Sequence, residues 1–181
     1  MKLFGREPSS IGCTEKGKDV LDEKDLRILA ELERDCRQRT NQIAKLTDIP
    51  VTTVFNRIKK LYSSGHIRHF RAILDPEKMD RALLAFVFVT LNRESQGAQS
   101  QEQSDHTMIT KIASYPCVQE VHSVTGEWDL LLKIRTKNIS ELEQFISGKL
   151  RTQQLIERAL TFCAMVSHKE TTSLLYNGLT R

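Results

Sequence analysis

The sequence predicts an α+β fold, with three N-terminal helices followed by a βαββαβ domain of the ferredoxin-like type. Apolar residues recur at helical spacing between residues 22 and 63, whereas strand-like and helical segments alternate after residue 83. Charge divides the chain at the same place, because residues 22–74 hold eleven bases and seven acids while residues 77–181 hold twelve of each. An excess of positive charge on one small folded domain is typical of proteins that bind nucleic acid.

The first two helices follow a polar segment, residues 1–20, which shows no hydrophobic period and is predicted to be a flexible leader. Asp22 is the predicted N-cap of the first helix, which ends before Arg39, and Thr40 is predicted to cap the short second helix. The inward face of the first helix is marked by Leu26, Leu29 and Leu32.

The third helix is predicted from about Val51 to Ser63, between a turn at Thr47–Pro50 and a glycine stop at Gly65. Asp48 in that turn is expected to adopt a left-handed backbone conformation. Two helices joined by so short a turn predict a helix-turn-helix, in which the second helix enters the major groove of DNA.

The outward side of the third helix carries side chains suited to base pairs and phosphates. Val54, Ile58 and Leu61 share the inward side. Asparagine can bond adenine, threonine can touch a thymine methyl, and lysine can contact phosphate or guanine. Phe55 and Tyr62 lie on the flank and are expected to pack against the first helix or a partner chain. The predicted DNA contacts on the outward side are Thr52, Thr53, Asn56, Lys59 and Lys60.

The C-terminal half is predicted to form one four-stranded sheet with two helices. Helices cover only one face of such a sheet, so a partner sheet from a second chain is the simplest cover for the other face. A polar loop of low complexity is expected at residues 92–105. After an extended segment from Ile67 to Leu74, the predicted elements are strands at residues 83–91, 118–124, 128–136 and about 158–167, a helix at about 105–114, and a helix that starts with a capping box at residues 140–143.

Several function classes are disfavoured by the sequence. The longest apolar run, residues 82–89, is far shorter than the roughly 20 residues that span a bilayer, and no signal peptide is evident. The four cysteines, at positions 13, 36, 117 and 163, show no metal-binding spacing and predict reduced thiols of a cytoplasmic protein. We find no catalytic motif and expect no enzyme activity, no cofactor and no metal.

The sequence resembles the Lrp/AsnC family of transcription regulators in both halves, over roughly residues 21–170. The resemblance implies a winged helix-turn-helix domain at residues 21–66, a linker strand at 67–80, a RAM ligand-binding and oligomerisation domain at 81–170, and a C-terminal tail at 171–181. The motifs that carry it are Asp22 to Leu26, Gln42 to Ala44, Thr52 to Val54, Arg57 to Leu61, Gly65 to Ile67, Arg71 to Lys78, and VHSVTGEWDLLLK at residues 121–133.

This resemblance implies a sequence-specific DNA-binding regulator that forms a homodimer or octamer and responds to a small effector, commonly an amino acid. Arg57 and Arg68, which lie in the acid-free basic stretch from Val51 to Leu74, are also expected to contact double-stranded DNA. Four residues depart from the family pattern: Thr47 replaces an apolar residue, Asp48 a glycine, Pro50 a capping serine, and Trp128 a tyrosine.

The effector cleft of the family lies near the loop between the second and third strands. Gly126 would let backbone approach a ligand, and Asp129 could accept a hydrogen bond from an ammonium group. The alternative is that Gly126 only makes the hairpin turn and Asp129 only caps it. The residues that the resemblance places at the cleft are Val124, Thr125, Gly126, Trp128 and Asp129.

Two other functions stay open at the level of sequence. Sirohaem decarboxylases resemble this family in both domains and place His and Arg around a tetrapyrrole, for which His122, Arg135 and His168 are the candidates here. A histidine on a half-exposed strand is more often a surface residue. An architectural protein that wraps DNA around an octamer without strong sequence choice is the second alternative.

Overall fold

The computed structural model describes residues 20–92 and 98–175, with side chains from residue 104 onward in the second range. Residues 1–19 of the expected leader, 93–97 of the expected loop, 176–181 of the tail and Cys13 lie outside the described residues. The chain divides into two compact units, an N-terminal unit that extends to Arg71 and includes residues from Thr172 onward, and a C-terminal unit, Ala72–Thr171. No described helix is long and apolar enough to cross a membrane.

The N-terminal unit contains three helices, α1 (Glu23–Arg34), α2 (Thr40–Thr47) and α3 (Val51–Ser63). Asp22 caps α1 as predicted, since its carboxylate accepts a hydrogen bond from the backbone N–H of Asp25 at 2.9 Å. The bounds of α3 agree with the prediction because proline and glycine flank it. The core of this unit consists of Ile28, Ile43, Ala44, Ile49 and Val54, with Leu32 and Ile58 packed against it.

Three local predictions for this unit need correction. Ile28 is the fully buried residue of α1, because the helix packs on α2 and α3 along a face rotated from the leucine stripe. Thr40 is the first residue of α2 rather than its cap, since Arg39 is the N-cap and Gln42 takes the Arg39 N–H. Residues 67–74 form no strand. A strand needs a hydrogen-bonding neighbour, and none of the described strands pairs with this segment.

The turn before α3 is left-handed at Asp48, as predicted, with φ 55° and ψ 42°. Its backbone N–H bonds the carbonyl of Ala44 and so ends α2. A side chain in this region costs energy that glycine avoids. Pro50 is the N-cap of α3 and provides no side-chain acceptor to its first N–H groups.

The C-terminal unit is a four-stranded antiparallel sheet in the order β2-β3-β1-β4. The central strands are paired in register, with Val87 opposite Leu132 and, on the other side, Phe88 opposite Leu160. This order and the βαββαβ succession confirm the predicted fold. The elements are β1 (Leu83–Leu91), α4 (Ala98–Ala113), β2 (Val118–Ser123), β3 (Leu130–Thr136), α5 (Ile139–Phe145) with a π-helical turn (Ile146–Leu150), and β4 (Ile156–Cys163).

Two helix starts in this unit differ from the prediction. Helix α4 begins at Ala98 instead of about residue 105, so part of the expected polar loop is helical. The sequence did not predict this first part of α4 because its residues are polar and show no apolar period. Helix α5 is capped by Asn138, whose side chain accepts from the Glu141 N–H at 2.9 Å, rather than by a box that starts at Ser140.

The helices and the sheet enclose the core of the C-terminal unit on one face. The alternate side chains of β1 and β3 are fully buried there against Met108, Ile112 and Phe145. From the strands, the buried residues of this face are Ala85, Val87, Val89, Leu91, Leu130, Leu132 and Ile134.

The opposite face, here called the open face, is covered by no helix among the described residues. It consists of the alternate residues of the same strands. Phe162 is 53% exposed and Leu160 42% exposed. Phe88 packs edge-to-face on Phe162 with ring centroids 5.8 Å apart.

One end of the open face is covered by the chain after β4, contrary to the expectation of a bare face. Ala164 donates to the carbonyl of Leu84 at 2.9 Å. Glu170 then bonds Lys133 and Arg135, both on the open side of β3. These contacts explain why Leu84 and Arg135 are buried. Residues beyond this point contribute to the N-terminal unit, where Glu33 accepts hydrogen bonds from Ser173, Leu174 and Leu175.

Candidate DNA-binding and effector-binding surfaces

The outward side of α3 carries most of the polar residues that the sequence predicted. Thr52, Asn56, Lys59 and Lys60 are exposed, and Thr53 is half-buried. The inward side is as predicted, with Val54 and Leu61 buried and Ile58 packed against the core. Arg68, the predicted contact beyond α3, is also exposed.

Arg57 has a different position from the one predicted. Its Nη1 donates to both carboxylate oxygens of Asp22, at 2.7 and 2.6 Å, and to Asp25 at 2.8 Å. The hydrogen bond from the Asp25 N–H, and then Arg57 itself, lower the pKa of Asp22. Arg57 therefore ties α3 to the start of α1. The sequence pattern missed this pairing because the partners lie 32 and 35 residues away.

Phe55 is expected to pack against α1 or a partner chain, and the second contact stays a prediction. It does not pack against α1 but is 59% exposed, and Val51, one turn before it, is 43% exposed. Together with Thr40, Thr52 and Asn56 these two residues line an open depression of about 380 Å³ at the start of α3. Tyr62, the other flanking aromatic, stacks on Phe70 at 5.9 Å between centroids.

The loop between β2 and β3 carries the predicted effector residues. Gly126 has φ 114°, a conformation that requires glycine, and a Cβ there would meet no atom within 4 Å. The carboxylate of Asp129 accepts a hydrogen bond from the Leu91 N–H at 2.8 Å and so ties the β2–β3 loop to the end of β1. Val124 bonds the Asp129 carbonyl, while Thr125 and Gly126 are exposed at the tip.

Trp128 lies in an arrangement that the sequence did not predict. Its ring contacts Phe88 at 5.8 Å, and the guanidinium of Arg158 lies 4.3 Å above the ring centroid. Arg158 also pairs with Glu127 at 2.7 Å. A cation above an aromatic face is stabilising, so strand β4 helps to hold the β2–β3 loop.

A charged cluster occupies the open face beside its aromatic residues. Lys133 pairs with Glu120 at 3.2 Å and with Glu170 at 2.5 Å. The pKa of Glu170 is lowered mainly by the hydrogen bond from Lys133. The pKa of Glu120 is lowered mainly by its hydrogen bond with His122. These carboxylates are therefore charged at neutral pH, and their pairing weakens only as acid protonates them.

The residues proposed for a tetrapyrrole do not converge. His122 pairs across the sheet with Leu131, four residues from Arg135 on β3, which corresponds to about 13 Å of strand. His122 bonds Glu120, and the buried Arg135 bonds Glu170. His168 is exposed. Within residues 20–92 and 98–175, no group of three or more His, Cys, Asp or Glu side chains could hold a metal ion.

Two family models match the chain, one in each half. Residues 21–68 match a winged helix-turn-helix DNA-binding domain. Residues 84–174 match the Lrp/AsnC ligand binding domain.

Curated proteins and solved structures agree with these matches. The chain is 36% identical over 154 residues to the HTH-type transcriptional regulator FL11 of Pyrococcus horikoshii, which covers 85% of this chain and 95% of that protein. It is 31% identical over 164 residues to the leucine-responsive regulatory protein of Serratia marcescens, covering 91% and 96%. In fold it matches a transcriptional regulator of Neisseria meningitidis in complex with L-Met, with a TM-score of 0.78, 24% identity, and coverage of 88% and 99%. The chain therefore belongs to the Lrp/AsnC family of helix-turn-helix transcriptional regulators.

Proposed function

We propose that this protein binds specific duplex DNA as a dimer through α3 and that a small amino-acid effector binds its C-terminal unit. The observation that carries the DNA-binding part is the outward side of α3, where Thr52, Asn56, Lys59 and Lys60 are exposed together. This helix is the second helix of a helix-turn-helix, and side chains that can bond bases and phosphates lie together on one of its sides. That arrangement suits contact with the major groove of DNA. Arg57 is not included, because carboxylates of α1 already bind it.

The DNA contacts are tested by two variants with different expected results. Replacing Lys59 and Lys60 by alanine should weaken binding to all sequences. It should also lower the slope of log affinity against log salt by about 0.9 for each phosphate that the variant no longer neutralises. Asn56→Ala should instead relax the preference at one base pair of each half-site. Fluorescence anisotropy on a selected site and its single-base variants, over a salt series, measures both.

The control for the lysines is Lys149→Ala, on the π-helical turn of the C-terminal unit, which should leave the salt slope unchanged. An unaltered slope in the Lys59/Lys60 variant would contradict the proposed role of α3. Footprints of equal strength on arbitrary sequences would favour the architectural DNA-wrapping alternative instead.

The dimer is proposed to form through the open face of the sheet. Phe162 and Leu160 are exposed there beside the half-buried Phe88. A sheet face of this composition is stable when a second sheet covers it. Two-fold pairing of one surface with itself also provides two recognition helices for half-sites about 34 Å apart or a multiple of that.

The effector is proposed to bind beside the β2–β3 loop. Support comes from the exposed Thr125 and Gly126 at its tip, the half-buried ring of Trp128, and the Neisseria meningitidis regulator that is described in complex with L-Met. In this proposal Asp129 holds the loop to β1 through the Leu91 N–H rather than receiving the ammonium group.

A thermal-shift screen against the twenty amino acids tests the effector proposal. A ligand at 100 times its dissociation constant adds about 2.7 kcal/mol to the free energy of unfolding, so a true effector should raise the melting temperature clearly. The shift should vanish in Gly126→Val, which cannot keep the loop conformation, and persist in Thr110→Val on the exposed side of α4. If no amino acid shifts the melting temperature, this class of effector is wrong.

A further inference from the structure

The apolar side chains at the start of α3 have no role in the polar contacts described above. Val51 and Phe55 lie one turn apart, and both are largely exposed, at 43% and 59%. Exposed apolar side chains that lie together and are rimmed by polar residues mark interaction sites more often than scattered ones do. They share the depression with Thr52 and Asn56, two of the proposed base contacts.

Position along the helix decides what this apolar pair can meet. In a helix-turn-helix the N-terminal residues of the second helix contact base edges in the major groove. Val51 is the first residue of α3 and Phe55 the fifth. The apolar group that the major groove offers is the 5-methyl of thymine, which protrudes from the base edge. A depression of about 380 Å³ accommodates the edge of a base with its methyl group.

We infer that Val51 and Phe55 form an apolar recognition surface for the 5-methyl group of one thymine in each DNA half-site. The inference rests on the proposed function and adds the chemical feature that the helix recognises. Asn56 on the same side supplies the polar contact with a neighbouring base.

The test removes the methyl group and nothing else. A binding site is selected from random duplexes with the full chain, and each thymine is replaced in turn by deoxyuridine. Burial of one methyl corresponds to about 0.8 kcal/mol, which is roughly a 4-fold loss of affinity. We expect this loss at one thymine of a half-site, and about 14-fold when both half-sites of a dimer lack the methyl.

Phe55→Ala distinguishes this surface from other sources of thymine preference. The variant should bind the thymine site more weakly and should no longer distinguish thymine from deoxyuridine there. Tyr62→Ala is the matched control, because Tyr62 is an exposed aromatic of the same helix (52%) about 10 Å further along it. This control variant should still bind the thymine site about 4-fold more tightly than the deoxyuridine site.

Two results would overturn the inference. The first is that no thymine position proves sensitive in the wild type, and the second is that Phe55→Ala retains the full ratio of affinities for the thymine and deoxyuridine sites. If Phe55→Ala retains this ratio and also changes the oligomeric state in sedimentation, Phe55 is assigned to contact with another copy. If the wild type selects no sequence at all, the proposed function fails as well, so the two failures are distinguishable.

Discussion

Replacing Phe162 by aspartate is expected to convert the proposed dimer to a monomer. Phe162 lies on the open face and is 53% exposed in the single chain, and its ring contacts Phe88. A partner sheet on this face would bury the new carboxylate without a counter-charge, and two-fold symmetry would place one such carboxylate in each protomer. We expect the dimer dissociation constant to rise by at least about 100-fold, equivalent to about 2.7 kcal/mol.

Sedimentation velocity over a concentration series measures this change. Leu160→Asp on the same face should act in the same direction. Ile139→Asp is the control, since Ile139 is 69% exposed at the start of α5 and lies away from the open face. Circular dichroism should show that all three variants remain folded. An unchanged association constant in Phe162→Asp would exclude the open face as the dimer interface.

Replacing Ile134 by alanine is expected to lower the free energy of unfolding of the C-terminal unit by about 3 kcal/mol. Ile134 is fully buried on the helix-covered side of β3, opposite Ala85 on β1. The substitution removes apolar contacts and leaves a cavity that the surrounding sheet cannot close fully. The single tryptophan, Trp128, belongs to this unit and reports its unfolding by fluorescence in urea.

The matched variant is Ile139→Ala, which makes the same change at an exposed position and should alter stability by less than about 0.5 kcal/mol. Protein concentration is held constant across the variants, because dimerisation adds to the apparent stability. If both substitutions lower the free energy of unfolding equally, the assignment of the core to the helix-covered face is contradicted.

The fold can be predicted where periodicity and breaker residues agree. The position of helix α3 is predicted correctly because the apolar period of Val54, Ile58 and Leu61 ends at a proline on one side and a glycine on the other. The strands β1 and β3 are evident from long apolar runs. The predicted helix α4 is too short because its first residues carry no apolar period.

The candidate sites are harder to predict because they depend on contacts between residues distant in sequence. Arginine is a residue type that commonly contacts DNA, and Arg57 lies in a basic stretch. Its carboxylate partners at the start of α1 become its neighbours only after folding. Arg158, which stacks on Trp128, is 30 residues away from it along the chain. Phe55 is expected to pack against α1 or a partner chain, and it does not pack against α1, because side-chain type alone does not tell an aromatic exposed in the single chain from a buried one.

The hydrogen bonds of Glu33 with residues 173–175 affect the order in which the chain can fold during synthesis. Ser173 lies 140 residues after Glu33, so a ribosome that adds roughly 5–20 residues each second needs about 7–28 s to bring them together. The three N-terminal helices make mostly local contacts and form in far less time. The nascent N-terminal unit therefore exists for seconds without this last attachment, because residues 173–175 follow the whole C-terminal unit along the chain.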